Sequence, residues 1–387
     1  MAGGESPTSL EVRCGSLFDG VSSKLRKNVL LRIENDRIAG ISSFGQGSAA
    51  RFSPNVVDLS AQTCLPGLTD VHVHIITQDP TRREIHGSAS QSLSAGDLMR
   101  TLRYGFTTVR NLGTKTLGPS DIDVRSAIAA GLLIGPRLQV ASCSTDTRYL
   151  GAKSVPTLRA TVDRLVKAGS QWIKLFASPG WDYAPQYDAT ELAAIVDEAH
   201  REGARVAIHT VNPEETHSAV AAHVDSIEHG IDIRDADLKL MHDSGIVYVP
   251  TMSVLQFVSA LPGRNDSAVW IYQLNQSFST FERALKAKVK IAFGTDAGAL
   301  DGRYTANPAQ QFRLMVQHGM SPIQAILAST HEGPALLNMS DQIGSIQVGK
   351  YADVVAVKGN PTSDIAVLEH IVFVMKNGRV IEQPPRR

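Results

Sequence analysis

Eight short apolar segments recur through the middle of the chain, separated by longer amphipathic stretches, and this alternation constrains the fold more than any other feature. The segments are GLTDVHVH (67–74), TTVRNLG (107–113), RLQVASC (137–143), WIKLFA (172–177), RVAIHT (205–210), DSIEHG (225–230), IVYVPT (246–251) and IAFGTDA (291–297). Short strand-like runs alternating with helical patterns mark a parallel sheet wrapped by helices, because parallel neighbours need long crossovers. The cleanest helical pattern is TELAAIVDEAHREG, with Leu192, Ile195, Val196 and Ala199 on one face and an acidic residue in the first turn. Eight such units within about 270 residues match the usual size of a (β/α)8 barrel.

Both ends of the chain read differently. Residues 8–60 hold short β segments such as VLLRIENDRIAGI, and 345–385 hold SIQVGKYADVVAV and IVFVMKNGRVIE, with Asn377-Gly378 as a hairpin signal. The expected architecture is therefore α/β: a TIM barrel over 61–344, and a small β-sandwich domain assembled from 1–60 and 345–387. An open doubly wound sheet is the alternative. No G-x-G-x-x-G follows the first segment, and the polar residues that end the segments are spread around the whole sheet, where only closure brings them together.

In a barrel, residues at the C-terminal strand ends converge on one site. Those residues are His72 and His74 (segment one), Lys174 (four), His209 (five), His229 (six) and Asp296 (eight). His72 and His74 are two apart, so both face the same side of a strand. Imidazole suits zinc, and two inward histidines leave room for further ligands. Taken singly, each residue has an ordinary reading: His209 and His229 as core histidines, Asp296 as a helix cap, Lys174 as a snorkelling side chain. All six at strand ends, in barrel order, point to a metal centre.

PGLTDVHVH, GFTTVRNLG, WIKLFA, RVAIH, DSIEHG, FGTDAG and the closing IGSIQVGKYADVVAV together resemble the amidohydrolase superfamily. More narrowly they are similar to its imidazolonepropionase-like and Xaa-Pro dipeptidase-like branch, which includes ochratoxin-hydrolysing amidases; the likeness runs from about residue 10 to 380. The resemblance implies two divalent metal ions, most simply Zn2+. His72, His74 and Asp296 would hold the buried ion, and His209 and His229 the exposed one. Lys174 would bridge them as a carbamate formed with carbon dioxide, and Asp296 would shuttle the proton. It implies amide hydrolysis of an N-acyl amino acid, aryl amide or dipeptide-like substrate, and a homo-oligomer. Hydrolysis of a cyclic amide, carbamate, urea or lactone is the alternative within enzymes, and a barrel that has lost catalysis is the alternative outside them.

The chain departs from the dipeptidase pattern where SCSTDTRYLGAKS replaces a Gly-Gly-His segment that holds a substrate carboxylate, and where HTVN replaces HAHG. Arg148 or Tyr149 could substitute as carboxylate partners. Phe176, Trp181, Tyr183, Phe257 and Trp270 offer surface for an aryl group or serve as packing. Tyr248, on segment seven, is read as a substrate-contacting phenol with catalytic weight or as strand packing. His200, His217, His223 and His242 fall on helical stretches and are expected to be structural.

Charge narrows the partners. Lys+Arg 38 balances Asp+Glu 38, which argues against nucleic acid or another polyanion and leaves a small molecule as the expected ligand. The beginning MAGGESPTSLEVRCG carries Glu5 and Glu11 where a signal peptide needs an apolar run, and no run reaches membrane-spanning length. Cys14, Cys64 and Cys143 are too few for a disulfide framework, so a reducing, cytoplasmic setting is expected.

Overall fold

The structure is a computed structural model that describes residues 9–45, 55–75, 95–113, 120–141, 144–145, 154–178, 186–261, 267–298 and 307–382. Four strands open the chain: β1 (Ser9–Leu17), β2 (Arg26–Glu34), β3 (Arg37–Ser43) and β4 (Val56–Pro66). The middle contributes β5 (Leu68–Val73), β6 (Phe106–Asn111), β7 (Arg137–Val140), β8 (Ser144–Thr145), β9 (Trp172–Phe176), β10 (Arg205–Thr210), β11 (Ser226–His229) and β12 (Val247–Val249). The chain closes with β13 (Val354–Val357), β14 (Ile371–Lys376) and β15 (Arg379–Glu382).

The terminal strands form one seven-stranded sheet in the order β15-β14-β13-β4-β1-β2-β3, where a two-layered sandwich was expected. Antiparallel pairing of β13 with β4 joins the two ends of the chain. Its apolar face buries Val12, Leu31, Leu59, Ala352, Val354 and Phe373. Within it Cys14 and Cys64 form a disulfide, which corrects the expectation of unpaired thiols and removes the cysteine argument for a reducing compartment. A separation of 50 residues hid this pair; it arises because β1 and β4 run parallel and shift register between Cys14 and Ser16. Gly15 admits the irregularity, since a Cβ there would stand 2.1 Å from the Ser60 carbonyl oxygen. Cys143 lies outside the described residues.

The middle strands form two parallel sheets, β5-β6-β7 and β12-β11-β10-β9-β8. Residues 290–297 lie between their outer strands. Tyr248 N–H donates to the Lys290 carbonyl and Ala292 N–H to that of Tyr248, while on the other side Val71 N–H donates to Phe293 and Asp296 N–H to His72. The expected eighth segment is thus hydrogen-bonded to β12 and β5, but as isolated bridges at Ile291 and Ala297 rather than as a regular strand. Asp296, in the left-handed region at φ +58°, interrupts it. Opposite, Gln171 N–H donates to the Val140 carbonyl.

Side chains alternate along these strands. Trp172, Ala207, Val247, Val249 and Ala292 share one apolar cluster, whereas Ile173, Leu175, Val206, Ile208, Ile227, Tyr248 and Phe293 pack in the large core with the helices. The helix Ala189–Arg201 shows how sequence sets this layer. Asp188 and Glu191 form a capping box, worth about 1 kcal/mol, and the expected face of Leu192, Ile195, Val196 and Ala199 is buried. No helix among the described residues is long and apolar enough to cross a membrane.

Candidate metal centre

His72, His74 and Asp296 meet where β5 lies against residues 290–297. Asp296 Oδ1 stands 3.4 Å from His72 Nε2 and 3.3 Å from His74 Nε2. Donors about 2.0–2.2 Å from an ion at the tetrahedral angle are roughly 3.4 Å apart, so Asp296 Oδ1 already stands from each histidine nitrogen at the spacing of two ligands on one ion, and the three residues' ligand atoms lie within 4.8 Å of one another.

The other nitrogen of each imidazole fixes its tautomer. His74 Nδ1 is 2.8 Å from the Gly113 carbonyl oxygen, which can only accept, so Nδ1 carries a proton and Nε2 is the nitrogen turned toward Asp296. His72 Nδ1 is 2.7 Å from Glu228 Oε2. Glu228 Oε1 in turn accepts from Arg110 Nη2 at 2.7 Å and Ser226 Oγ at 2.5 Å, and the guanidinium lies over the Trp172 ring at 4.2 Å. Burial would raise the Glu228 carboxyl, but Arg110 and His72 bring it down to about 2, so it is an anion within the fold.

Lys174 stands on β9 with no solvent exposure. Burial lowers its ammonium to about 8, against the opposing pull of Glu228 and Asp296 and with help from Arg110; a large share of the amine is then neutral near pH 8. Phe176, two residues on and half-buried, places its ring 5.1 Å from Lys174 Nζ and 5.2 Å from the His209 ring. His209 and His229 pack ring to ring at 4.5 Å, and His229 lies 5.0 Å from His72, so all four histidines form one contiguous group. His229 Nδ1 pairs with Thr251 Oγ1 at 2.7 Å. Burial, then the charge of His209, holds the His229 imidazolium well below its ordinary range, which favours the neutral ring. Burial alone would raise the Asp296 carboxyl, but His72 and His74 hold it well below the usual carboxylate range.

Three non-glycine residues here have positive φ: His229 (+65°), Thr251 (+44°) and Asp296 (+58°). Each costs about 1–3 kcal/mol and persists only where surroundings enforce it, as they do at functional sites.

Tyr248 is not with this group. It alternates with Val247 and Val249, packs in the helix-facing core, and directs its hydroxyl to the Gly230 carbonyl at 3.4 Å and to Ser277. Strand period explains the placement, which favours the packing reading of Tyr248. Trp270 is buried with Val211, Ile231, Leu255 and Val258, and Phe257 packs against that cluster. Trp181, Tyr183, Arg148 and Tyr149 lie outside the described residues. His200, His217 and His242 pair with Asp225, Asp237 and the Lys288 carbonyl.

Sequence reasoning passed over Asp70, Arg110, Glu228, Thr251 and Thr295. Asp70 on β5 accepts from His72 N–H and from both the N–H and hydroxyl of Thr295; burial raises its carboxyl to about 7 against those bonds. The signal was present, since a charge within a fully buried strand must be paired.

A sequence profile of the Amidohydrolase family matches residues 63–381. The chain belongs to that family. Amidohydrolase-family proteins are hydrolases, and the relatives fit that class. Ochratoxinase from Aspergillus niger is 26% identical over an alignment covering 96% of this chain and 86% of that protein. Imidazolonepropionase from Streptomyces avermitilis is 24% identical, covering 83% and 78%. Among solved structures, a Xaa-Pro dipeptidase with methionine bound in its active site superposes with a TM-score of 0.85 at 31% identity, covering 97% of this amidohydrolase and 100% of that chain.

Proposed function

We propose that this amidohydrolase is a binuclear zinc enzyme that hydrolyses an amide bond in an N-acyl amino acid, aryl amide or dipeptide-like substrate. The observation that carries the reading is the approach of Asp296 Oδ1 to within 3.4 Å of His72 Nε2 and 3.3 Å of His74 Nε2, with buried Lys174 on the neighbouring sheet. The likeness to ochratoxinase and to a Xaa-Pro dipeptidase supports the bond type. We infer also that the two parallel sheets and residues 290–297 close into a (β/α)8 barrel spanning 61–344, with 1–60 and 345–387 as the accessory β domain.

The donor set fits the metals. His72, His74 and Asp296 would hold one ion and His209 and His229 a second. Lys174, whose neutral amine adds to carbon dioxide with loss of a proton, would supply an anionic carbamate to both. When bound, divalent ions bring the pKa of water toward neutrality and polarise the scissile carbonyl. Asp296, ionised and beside both histidines, takes a proton from the attacking water and delivers it to the leaving nitrogen, which departs poorly as an anion. Glu228 and Arg110 keep His72 in the tautomer that presents Nε2. Phe176, on the same strand face as Lys174, gives the acyl or aryl group apolar surface worth about 25 cal/mol per Å² removed from water.

The test compares kcat/KM for an N-aroyl amino acid, its carboxamide analogue and a plain dipeptide with the same C-terminal residue, on enzyme prepared with zinc and bicarbonate. The N-aroyl amino acid is expected to be the best substrate, and chelation should abolish its turnover. A plain dipeptide processed tenfold better than the others contradicts the aromatic-wall part of the reading.

A further inference from the structure

We propose that Asp70 is a positioning residue that sets the distance between His72 and Asp296, and that it acts by gripping Thr295. The proposal rests on the reading of His72 and Asp296 as ligands of a divalent ion.

Asp70 is 1% exposed, and its two oxygens have three donors from two separate parts of the chain. Oδ1 accepts from the N–H of His72 at 3.1 Å and from that of Thr295 at 3.2 Å, and Oδ2 accepts from the Thr295 hydroxyl at 2.6 Å. One planar group therefore holds the backbone of one ligand and of the residue immediately before the other. The consequence falls on Asp296, whose left-handed φ of +58° aims its carboxylate at both histidines and has to be enforced by its neighbours.

The enforcement is visible bond by bond. Asp296 N–H donates to the His72 carbonyl at 2.8 Å, and His74 N–H donates to the Ala297 carbonyl at 2.7 Å. The Thr295 hydroxyl accepts from Ala297 N–H at 3.2 Å while it donates to Asp70. It thus relays from Asp70 to the far side of the turn that carries Asp296. That polarity requires an acceptor at Asp70 Oδ2. An asparagine has the same shape but presents NH2 there, so two donors compete for the Thr295 oxygen and its proton has no acceptor. Asp70→Asn should therefore disturb the turn despite its shape, Thr295→Val should disturb it by removing the hydroxyl, and Thr295→Ser should preserve it.

The experiment uses the full-length chain loaded with zinc, as wild type and as Asp70→Asn, Thr295→Val, Thr295→Ser and His72→Asn. Zinc retained per chain is measured across a graded chelator series, kcat and KM are measured after reloading with excess zinc, and thermal unfolding is followed on zinc-free protein. Asp70→Asn and Thr295→Val are expected to release zinc at roughly 10- to 100-fold lower chelator concentration. Reloaded, they should show kcat reduced about tenfold or more with KM within about twofold, while Thr295→Ser follows wild type. If Asp70→Asn does not fold, Thr295→Val carries the same test. A variant that melts earlier yet retains zinc and turns over like wild type would assign Asp70 to fold stability alone and overturn the proposal. His72→Asn separates the two readings. Wild-type zinc retention in that variant overturns the ligand reading and this proposal together, whereas loss there with wild-type retention in Asp70→Asn and Thr295→Val overturns the proposal alone.

Discussion

Glu228 Oε2 lies 2.7 Å from His72 Nδ1, and neither side chain reaches solvent. An anion is held at this depth because Arg110 faces its other oxygen, so the pair and the imidazole act as a unit.

Glu228→Gln keeps the volume but loses the charge that favours Nδ1–H. Removing such a partner typically costs 10- to 100-fold in metal affinity, so zinc retention should fall by roughly that factor. Arg110→Met leaves Glu228 as an uncompensated buried charge and should destabilise the fold by about 3–5 kcal/mol, read by denaturant unfolding. Unchanged stability in Arg110→Met would show that Glu228 finds another cation.

Lys174→Ala should lose nearly all turnover and regain part of it with short carboxylic acids, which can occupy the place of the carbamate oxygens. Lys174→Arg should not recover, since a guanidinium stays charged and forms no carbamate. The check is rate against added acetate or propionate. Near wild-type turnover in the alanine variant would make this lysine structural.

Gly294 sits where a Cβ would come within 2.4 Å of Val249 Cγ1 and 3.0 Å of the His72 Cβ. Gly294→Ala should therefore both destabilise, by about 1–3 kcal/mol, and push His72 from its place. Lower thermal stability together with weaker zinc retention is expected; an unchanged melting temperature would mean that β12 yields freely.

Lys376 gives a pH prediction away from the metal centre. Burial lowers its ammonium to about 8 from 10.5, with Arg137 and Arg379 adding to the shift and Asp353 opposing it. The unfolded chain then binds more protons between those two values, so this residue makes stability rise with pH across about 8 to 10.5. Below pH 8 the full penalty applies. Lys376→Met should accordingly melt higher than wild type at pH 7, with the difference shrinking toward pH 10.5. A pH-independent difference would show that the ammonium is not penalised by the fold.

The strand–helix alternation was legible because the parallel strands are largely buried and read as mainly apolar runs: WIKLF on β9 and RVAIHT on β10 lie where they were expected. The six candidate ligands stood out for a related reason, as polar residues within or at the ends of apolar runs. Asp70 and Glu228 were missed because they lie one or two residues before those ends, where their burial depends on partners from distant segments: Thr295 is 225 residues from Asp70, and Arg110 118 from Glu228. The Cys14–Cys64 bond was hidden in the same way, being made by strand pairing rather than by spacing. For Tyr248 the sequence left a substrate contact and strand packing both open; strand period, with Val247 and Val249 in the inner cluster and Tyr248 in the helix-facing core, favours packing.

The central claim is two ions per chain, and elemental analysis of protein prepared with zinc and bicarbonate tests it most directly. The account predicts close to two zinc ions per chain, falling in Lys174→Ala. One tightly held ion, with no gain when zinc is added and no change in Lys174→Ala, would contradict it and leave a mononuclear centre on His72, His74 and Asp296.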